Sequence, residues 1–325
     1  MKTLRNIKGI IYVLLAGCMW GCMGLLVRPL NKLGLETMDI VALRAFETVV
    51  LTFITFPTLC KLTHTTNTEQ SSGLTEKTDG SGFWKNVKNS ILIKPGDIWV
   101  FIGTGIVSVV FFNYCYFNTI IYTSLSVAAI MLYTAPIFVM LISAVVFKDS
   151  LTKRKVIALI LAFAGCGIVT GAFTGELVLD GKGILFGFGA GIGYALYSIF
   201  GKLAADRGYN SVTITLYTFL FASIGVLPFI RISHIIEVFR QNGGLTYTFV
   251  LIVITTFLPY IFYTAGLSEM EPGKAAIIAC IEPVMATVIG MLAFGEMLTA
   301  ITIVGVLLVI IAIIIINAKS KQAMV

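Results

Sequence analysis

The fold class this sequence predicts is an all-α integral membrane protein with ten transmembrane helices, arranged as two inverted five-helix repeats. Three observations carry that prediction. Of 325 residues, 58% are hydrophobic and only 12% charged, with a mean hydropathy of +0.96, which is too apolar for a soluble domain of this length. Apolar stretches of about 20 residues, long enough to cross the hydrocarbon core as a helix, recur almost to the C-terminal end. The chain also repeats itself: SVAAIMLYTAPIFVMLISAVVFKDSLT at 126–152 aligns without a gap on GKAAIIACIEPVMATVIGMLAFGEMLT at 273–299, an offset of 147. That alignment pairs Pro136 with Pro283, Asp149 with Glu296 and Thr152 with Thr299.

A second match sets WGCMGLLVRPLNKLG from Trp20 on YALYSIFGKLAADRG from Tyr194, an offset of 174 that pairs Arg28 with Lys202 and Gly34 with Gly208. The offsets differ by 27, so the first copy carries an insertion of that size. In order, the expected spans are 9–30, 37–59, 97–118, 122–146 and 154–173, then 182–203, 211–231, 246–267, 273–294 and 298–317. The two repeats are therefore residues 1–173 and 182–317.

Basic residues set the expected orientation. With the N-terminus inside, 17 of the 23 Lys and Arg residues fall on the inner side, and Arg28, Lys32, Arg44, Lys182, Arg231 and Arg240 on the outer. The positive-inside rule then makes both termini cytoplasmic, and the expected location is the plasma membrane, as a multi-pass protein. The same distribution explains the net charge of +7 without a nucleic-acid partner. An odd number of spans per copy inverts the second copy relative to the first, and such repeats place a substrate site where the copies meet.

Two other readings of the N-terminal region and the cysteines lose on inspection. Lys2, Arg5 and Lys8 followed by LLAGC resemble a lipoprotein signal ending at Cys18, but the apolar run continues through Val27 and matches an internal helix of the second copy. Cys18, Cys22, Cys60, Cys115, Cys166 and Cys280 show no paired spacing for a metal site or a disulfide framework. No metal or cofactor is expected. The two histidines, His64 and His234, lie in loops, which excludes a histidine proton relay, and no Gly-rich phosphate loop suggests an ATP-driven pump.

The insertion lies at 61–94, polar and cytoplasmic by this topology, with Phe83, Trp84, Lys85 and Lys88 suited to a short segment on the inner leaflet. Small residues at four-residue spacing mark close helix contacts: Gly183, Gly187 and Gly191 in the sixth span, Gly17 and Gly21 in the first. Gly17 and Gly191 correspond at the 174 offset, so one contact is expected to be made twice.

Ionisable residues deep in a span are functional candidates, because charge there is costly. Glu282 lies mid-span between Cys280 and Pro283, where the other copy has the neutral Ala135. It either binds a substrate ammonium, carries a coupled proton, or hydrogen-bonds the backbone freed at Pro283. Glu47 is the second deep acid. Arg44 stands one turn before it, so an internal ion pair is expected, with gating or anion capture near the outer mouth as the alternative. Polar aromatic sets complete the candidates. Asn113, Tyr116 and Phe117 share a face of the third span, Tyr133 precedes Pro136, and Tyr194, Tyr197 and Ser198 recur in the sixth span. Pro259, Tyr260 and Tyr263 recur in the eighth, where Tyr263 corresponds to Tyr116. Such rings suit a cavity that stacks on an aromatic group or holds a cation over a ring face.

At WGCMGLLVRPL, MDIVALRAFE, AAIMLYTAPIFVMLISAVVFKDSLT and GKAAIIACIEPVMATVIGMLAFGEMLT the chain resembles EamA-type members of the drug/metabolite transporter superfamily, over nearly its whole length apart from 61–94. The resemblance implies ten helices in two inverted halves around a central cavity lined by the first, third, fourth, sixth, eighth and ninth spans. Carried over by position, it turns Trp20, Asn113, Tyr116, Tyr133, Tyr194, Tyr197, Tyr263 and Glu282 toward that cavity, and matches Arg44 to an arginine typical of the second span. The expected function is alternating-access export of small metabolites, amino acids first. Efflux of hydrophobic organic cations and a non-transporting membrane sensor are the alternatives. Nothing in the sequence chooses between monomer and homodimer.

Overall fold

The structure, a computed structural model, describes residues 2–68, 90–171, 180–241 and 243–318. Phe83, Trp84 and most of the insertion lie outside the described residues. Among those described, nine helices are long and apolar enough to cross a membrane. The first four are α1 (Ile7–Lys32), α2 (Thr37–Thr58), α3 (Pro95–Tyr122) and α4 (Leu125–Val146). The expected span at 154–173 is α5 (Lys153–Val169), whose 17 residues fall short of the other nine. At 1.5 Å per residue it is about 26 Å long, just under the hydrocarbon thickness of about 30 Å. The others are α6 (Gly181–Asp206), α7 (Ser211–Phe229), α8 (Gly244–Glu269), α9 (Pro272–Phe294) and α10 (Ala300–Asn317). The protein is thus a multi-pass, all-α membrane protein.

Side-chain caps start several helices. Thr152 and Thr299 each accept the N–H three residues on, Lys155 and Thr302, while Asp180 and Asn210 do the same for α6 and α7. Beyond the ends of α4 and α9 the chain turns through Lys148 (φ 58°) and Gly295 (φ 68°), left-handed conformations that close the last turn. In both turns a carbonyl six residues back accepts the next N–H: Ser143 from Asp149 at 3.5 Å, Gly290 from Glu296 at 3.2 Å. Every one of these paired positions is separated by 147.

The same spacing recurs where helices deform. α4 breaks at Tyr133, between Leu125–Leu132 and Ala135–Val146, and α9 breaks at Cys280, between Pro272–Ala279 and Ile281–Phe294. Pro136 and Pro283 cause the breaks, since proline gives no N–H and its ring crowds the carbonyl four residues earlier. α3 and α8 carry π-helical turns at Gly103–Val110 and Val253–Phe257, ending at positions 147 apart.

Glycines let these broken helices approach. On α6, Gly187 faces Met131 and Gly191 faces Thr134 of α4, while Gly189 and Gly193 face Cys115, Phe111 and Phe112 of α3. On α1, Gly17 faces Ile281 and Gly21 faces Met285 of α9. Since Gly17 corresponds to Gly191 and Ile281 to Thr134, the anticipated duplicated contact is present. α5 lies along α10 through Gly165 and Gly305.

The two ends of the bundle differ. At the end holding the start of α1, Gly9 packs on Gly266 and Glu269, Lys155 pairs with Glu271, and Asp97 accepts from Arg207 and Tyr209 at 2.7 Å each. At the other end, a short amphipathic helix, Ile232–Arg240, occupies what the sequence reads as a plain connection, burying Ile235 and Val238. It is tied to α2 by an Arg231–Glu36 ion pair and by the Arg231 N–H donating to Asp39 at 3.2 Å.

A Cβ at Gly21 would lie 2.6 Å from Met285 Cβ and 2.7 Å from the Glu282 carbonyl oxygen, whereas one at Gly24 meets nothing within 4 Å. Gly21→Ala is therefore expected to cost about 1–3 kcal/mol by overpacking, and Gly24→Ala nothing. Thermal melting of the two purified variants checks this.

Candidate functional site

One cavity of about 640 Å³ runs from the middle of the bundle to the end opposite the start of α1. Asn31, Thr37, Ile121 and Leu125 rim its mouth, and Tyr194, Tyr263 and Glu282 lie at its depth. The volume is that of a site for a small organic molecule. Its lining comes from α1, α2, α3, α4, α6, α7, α8 and α9, while the other end is tied by the contacts described above.

Of the sequence candidates, Trp20, Arg44, Asn113, Tyr116, Tyr194, Tyr197, Tyr263 and Glu282 all line this cavity. Tyr133 does not; the break before Pro136 carries it to a separate small void below, between α4 and α9. Glu47 lines neither space. The expected Arg44–Glu47 ion pair is absent as well. Arg44 reaches across to the π-helical turn of α8, where Nε donates to Thr256 Oγ1 at 2.7 Å and Nη2 to the Thr255 carbonyl at 3.4 Å, and Nη1 lies 3.8 Å from Met23 Sδ. A one-turn spacing puts two residues on neighbouring faces of one helix. It says nothing of a better acceptor on the helix opposite.

Glu282 makes no hydrogen bond or ion pair among the described residues, so it does not serve the backbone freed at Pro283. Arg44 lines the same cavity and forms no ion pair with it. Arg28 also lines the cavity but is paired with Glu296; Arg44, fixed by α8, and the unpartnered Glu282 stand apart among aromatic rings.

The rings form two groups. Trp20 lies 5.2 Å from Tyr263 and 5.6 Å from Tyr260, measured between ring centroids, and Tyr260 lies 5.0 Å from Tyr197 and 4.8 Å from Phe219. Phe112 lies 5.4 Å from Tyr194 and 5.9 Å from Tyr116. Tyr260, the hub of the first group, belongs to the eighth-span aromatic set read from the sequence, although the family resemblance carried only Tyr263 of that set to the cavity; Tyr260 lines it as well.

The tyrosines divide into two kinds. Tyr263 and Ser198 share a hydrogen bond of 2.8 Å, and Tyr197 and Thr264 one of 2.9 Å; all four residues are buried, so these hydroxyls stitch α6 to α8. Asn113 spends its amide on the Val109 carbonyl at 2.7 Å. Tyr116, Tyr194 and Tyr260 line the cavity with hydroxyls that bond no protein atom among the described residues. No cluster of three or more His, Cys, Asp or Glu side chains able to hold a metal occurs among the described residues.

Comparison with known proteins gives a consistent result. The model of the EamA-like transporter family matches residues 80–171 and 181–318. The chain is similar to two uncharacterized transporters of Archaeoglobus fulgidus. One is 28% identical over 56% of this chain and 63% of its own length, the other 29% identical over 61% and 70%. It is also 23% identical to the uncharacterized transporter YyaM of Bacillus subtilis, over 71% of this chain and 76% of that protein. A solved crystal structure superposes with a TM-score of 0.69 at 14% identity, covering 96% of this chain and 97% of the other, which shows a shared fold.

The division among the tyrosines is testable. Tyr263→Phe leaves Ser198 unpaired and is expected to lower stability by about 1 kcal/mol with little effect on ligand affinity. Tyr194→Phe and Tyr116→Phe are expected to melt like the parent chain and bind ligand more weakly. Melting curves with and without ligand separate the two groups.

Proposed function

Because the chain belongs to the EamA-like transporter family, we propose that it is a secondary transporter that exports small zwitterionic metabolites, amino acids above all, across the plasma membrane. The observation that carries this reading is the placement of Arg44 and Glu282 in one aromatic cavity without an ion pair between them. An α-amino acid carries both complementary charges. Its carboxylate meets the Arg44 guanidinium, whose remaining N–H groups stay available after Thr255 and Thr256 have fixed its direction. Its ammonium meets Glu282, and its side chain lies along Trp20, Tyr260 and Phe112. A hydrophobic cation would gain from the acid and the rings but would face Arg44 uncompensated, which weighs against the organic-cation alternative.

Alternating access completes the reading. The halves 1–173 and 182–317 act as inverted repeats that rock about the site. Support comes from the recurrence, at the same offset, of the proline breaks, threonine caps and π-helical turns. The duplicated glycine contact offers smooth surfaces for such a movement. With the termini cytoplasmic, as the positive-inside distribution favours, the conformation described here is open to the outside and closed to the cytoplasm.

Counterflow in proteoliposomes tests the proposal: vesicles preloaded with unlabelled amino acids should accumulate a labelled one. Arg44→Gln and Glu282→Gln each remove a charge-assisted contact of about 1.5–3 kcal/mol, so each should slow entry roughly tenfold or more. Glu47→Gln should leave it unchanged. Parent-like counterflow in both charge variants would remove the zwitterion reading.

A further inference from the structure

The repeat relates the two ends of the bundle, and at one position they cannot behave alike. At the end holding the start of α1, the half of α9 that precedes its break packs on the half of α4 that follows its own, Pro272–Ala279 on Ala135–Val146. Gly273 lies against Met140: an added Cβ would stand 2.8 Å from Met140 Cγ and 3.8 Å from Met140 Cβ. Ala276 is buried in one apolar cluster with Ala135 and Val139. None of these five positions carries a charge.

Shifted by 147 residues, the same contact would join the other two halves, Leu125–Leu132 and Ile281–Phe294, at the mouth end. Gly273 becomes Ser126, Met140 becomes Thr287, Ala276 becomes Ala129 and Val139 becomes Ala286. All four residues are small enough for helices to meet closely. In the structure these halves make no comparable contact: Ala286 is exposed, Ser126, Ala129 and Thr287 are half-buried, and Leu125, Leu132 and Glu282 open onto the cavity. The surfaces of a second gate are present and apart.

The remaining position differs. Ala135, fully buried in the closed contact, becomes Glu282. Closing the mouth end would press that acid between α4 and α9, away from water at the depth of the membrane. The neighbouring helices offer it no free fixed cation. Tyr116 on α3, Tyr133 on α4, Tyr194 on α6 and Tyr260 on α8 line the spaces beside it, Arg44 on α2 is held by Thr255 and Thr256, and Arg28 on α1 is paired with Glu296. A bare carboxylate enclosed there is costly, and one that is protonated or paired with an ammonium is much less so.

We propose that Glu282 is the interlock of the gate at the mouth: α4 and α9 close there through Ser126, Ala129, Ala286 and Thr287, and only when the Glu282 carboxylate is protonated or holds an ammonium. On the transporter reading above, on which this rests, a chain that has released its substrate cannot return empty and charged. It returns with a proton taken from outside, which Glu282 later gives up to the cytoplasm, or with another substrate molecule. Export is thereby coupled to an inward proton or runs as exchange.

The test is oxidative cross-linking of Ser126→Cys with Thr287→Cys in the full-length chain in lipid nanodiscs, without amino acids and at one alkaline pH, the linked peptides being identified by mass spectrometry. The counterpart of the Gly273–Met140 contact brings the two Cβ atoms to the 3.8 Å seen there, a spacing that a disulfide spans. Linking is expected to be slow in the parent background and roughly tenfold faster or more with Glu282→Gln. Ala286→Phe, a wedge at an exposed position, should melt like the parent and suppress the linkage in both backgrounds. No linkage in either background, with both thiols open to maleimide, would overturn the gate, and equal rates in the two backgrounds would overturn the interlock. The linkage is read without transport. Parent counterflow with no linkage removes the interlock alone, whereas linkage that quickens with Glu282→Gln while the parent shows no counterflow leaves the charge-gated closure standing and removes the transporter reading.

Discussion

A carboxylic acid in the middle of a bilayer has to be answered by an opposite charge, a proton or a set of donors, because hydrocarbon offers none of these. In this chain the protein withholds the answer. Glu282 is bordered by aromatic rings and open space, and Arg44, which lines the same cavity, is held elsewhere by the π-helical turn of α8. Two charges that would collapse into a pair if they touched are kept apart, and the gap between them is where a ligand of matching chemistry gains most. The rings, the hydroxyl stitches between α6 and α8 and the glycine contacts make sense as a frame that preserves that separation.

The frame is built from interruptions. A straight α4 and a straight α9 would run past one another with every carbonyl satisfied. Pro136 and Pro283 break both near the middle of the bundle, and Glu282 lines the spaces beside the break in α9. π-helical turns in α3 and α8 do related work, the latter presenting the Thr255 carbonyl and the Thr256 hydroxyl to Arg44. Irregular backbone at membrane depth is tolerated where it lines a cavity or is buried in protein, and both kinds of interruption here meet that condition. Glycines on α1 and α6 then let the interrupted helices close without side chains between them.

Much of this was legible because the repeat constrains two places at once. Aligning 126–152 on 273–299 pairs the two prolines that break α4 and α9 and the two threonines that cap α5 and α10, and the glycine spacing marks which faces approach. Hydropathy located the nine membrane-length helices and α5, although α5 is shorter than the span read from it, since an apolar stretch does not say where hydrogen bonding stops. What escaped was decided between helices. Arg44 chose acceptors 211 and 212 residues away over an acid three residues away. Tyr197 and Tyr263 turned their hydroxyls to each other's helices, where a list of cavity tyrosines had treated them as free. Tyr133 was displaced by the very proline that made it notable. The helix at Ile232–Arg240 was hidden because nine residues of amphipathic pattern look like a connecting loop.

The account turns on a ligand that needs both poles, and ligand chemistry tests that more directly than any substitution. Labelled amino-acid counterflow should be measured in competition with three unlabelled compounds: the same amino acid, its methyl ester and its N-acetyl derivative. The ester keeps the ammonium and loses the carboxylate; the N-acetyl form does the reverse. If Arg44 and Glu282 each hold one pole, the free amino acid competes and both derivatives fail. Competition by the ester as strong as that of the free amino acid would make the site a cation site in which Arg44 binds no carboxylate, and the central claim would be wrong.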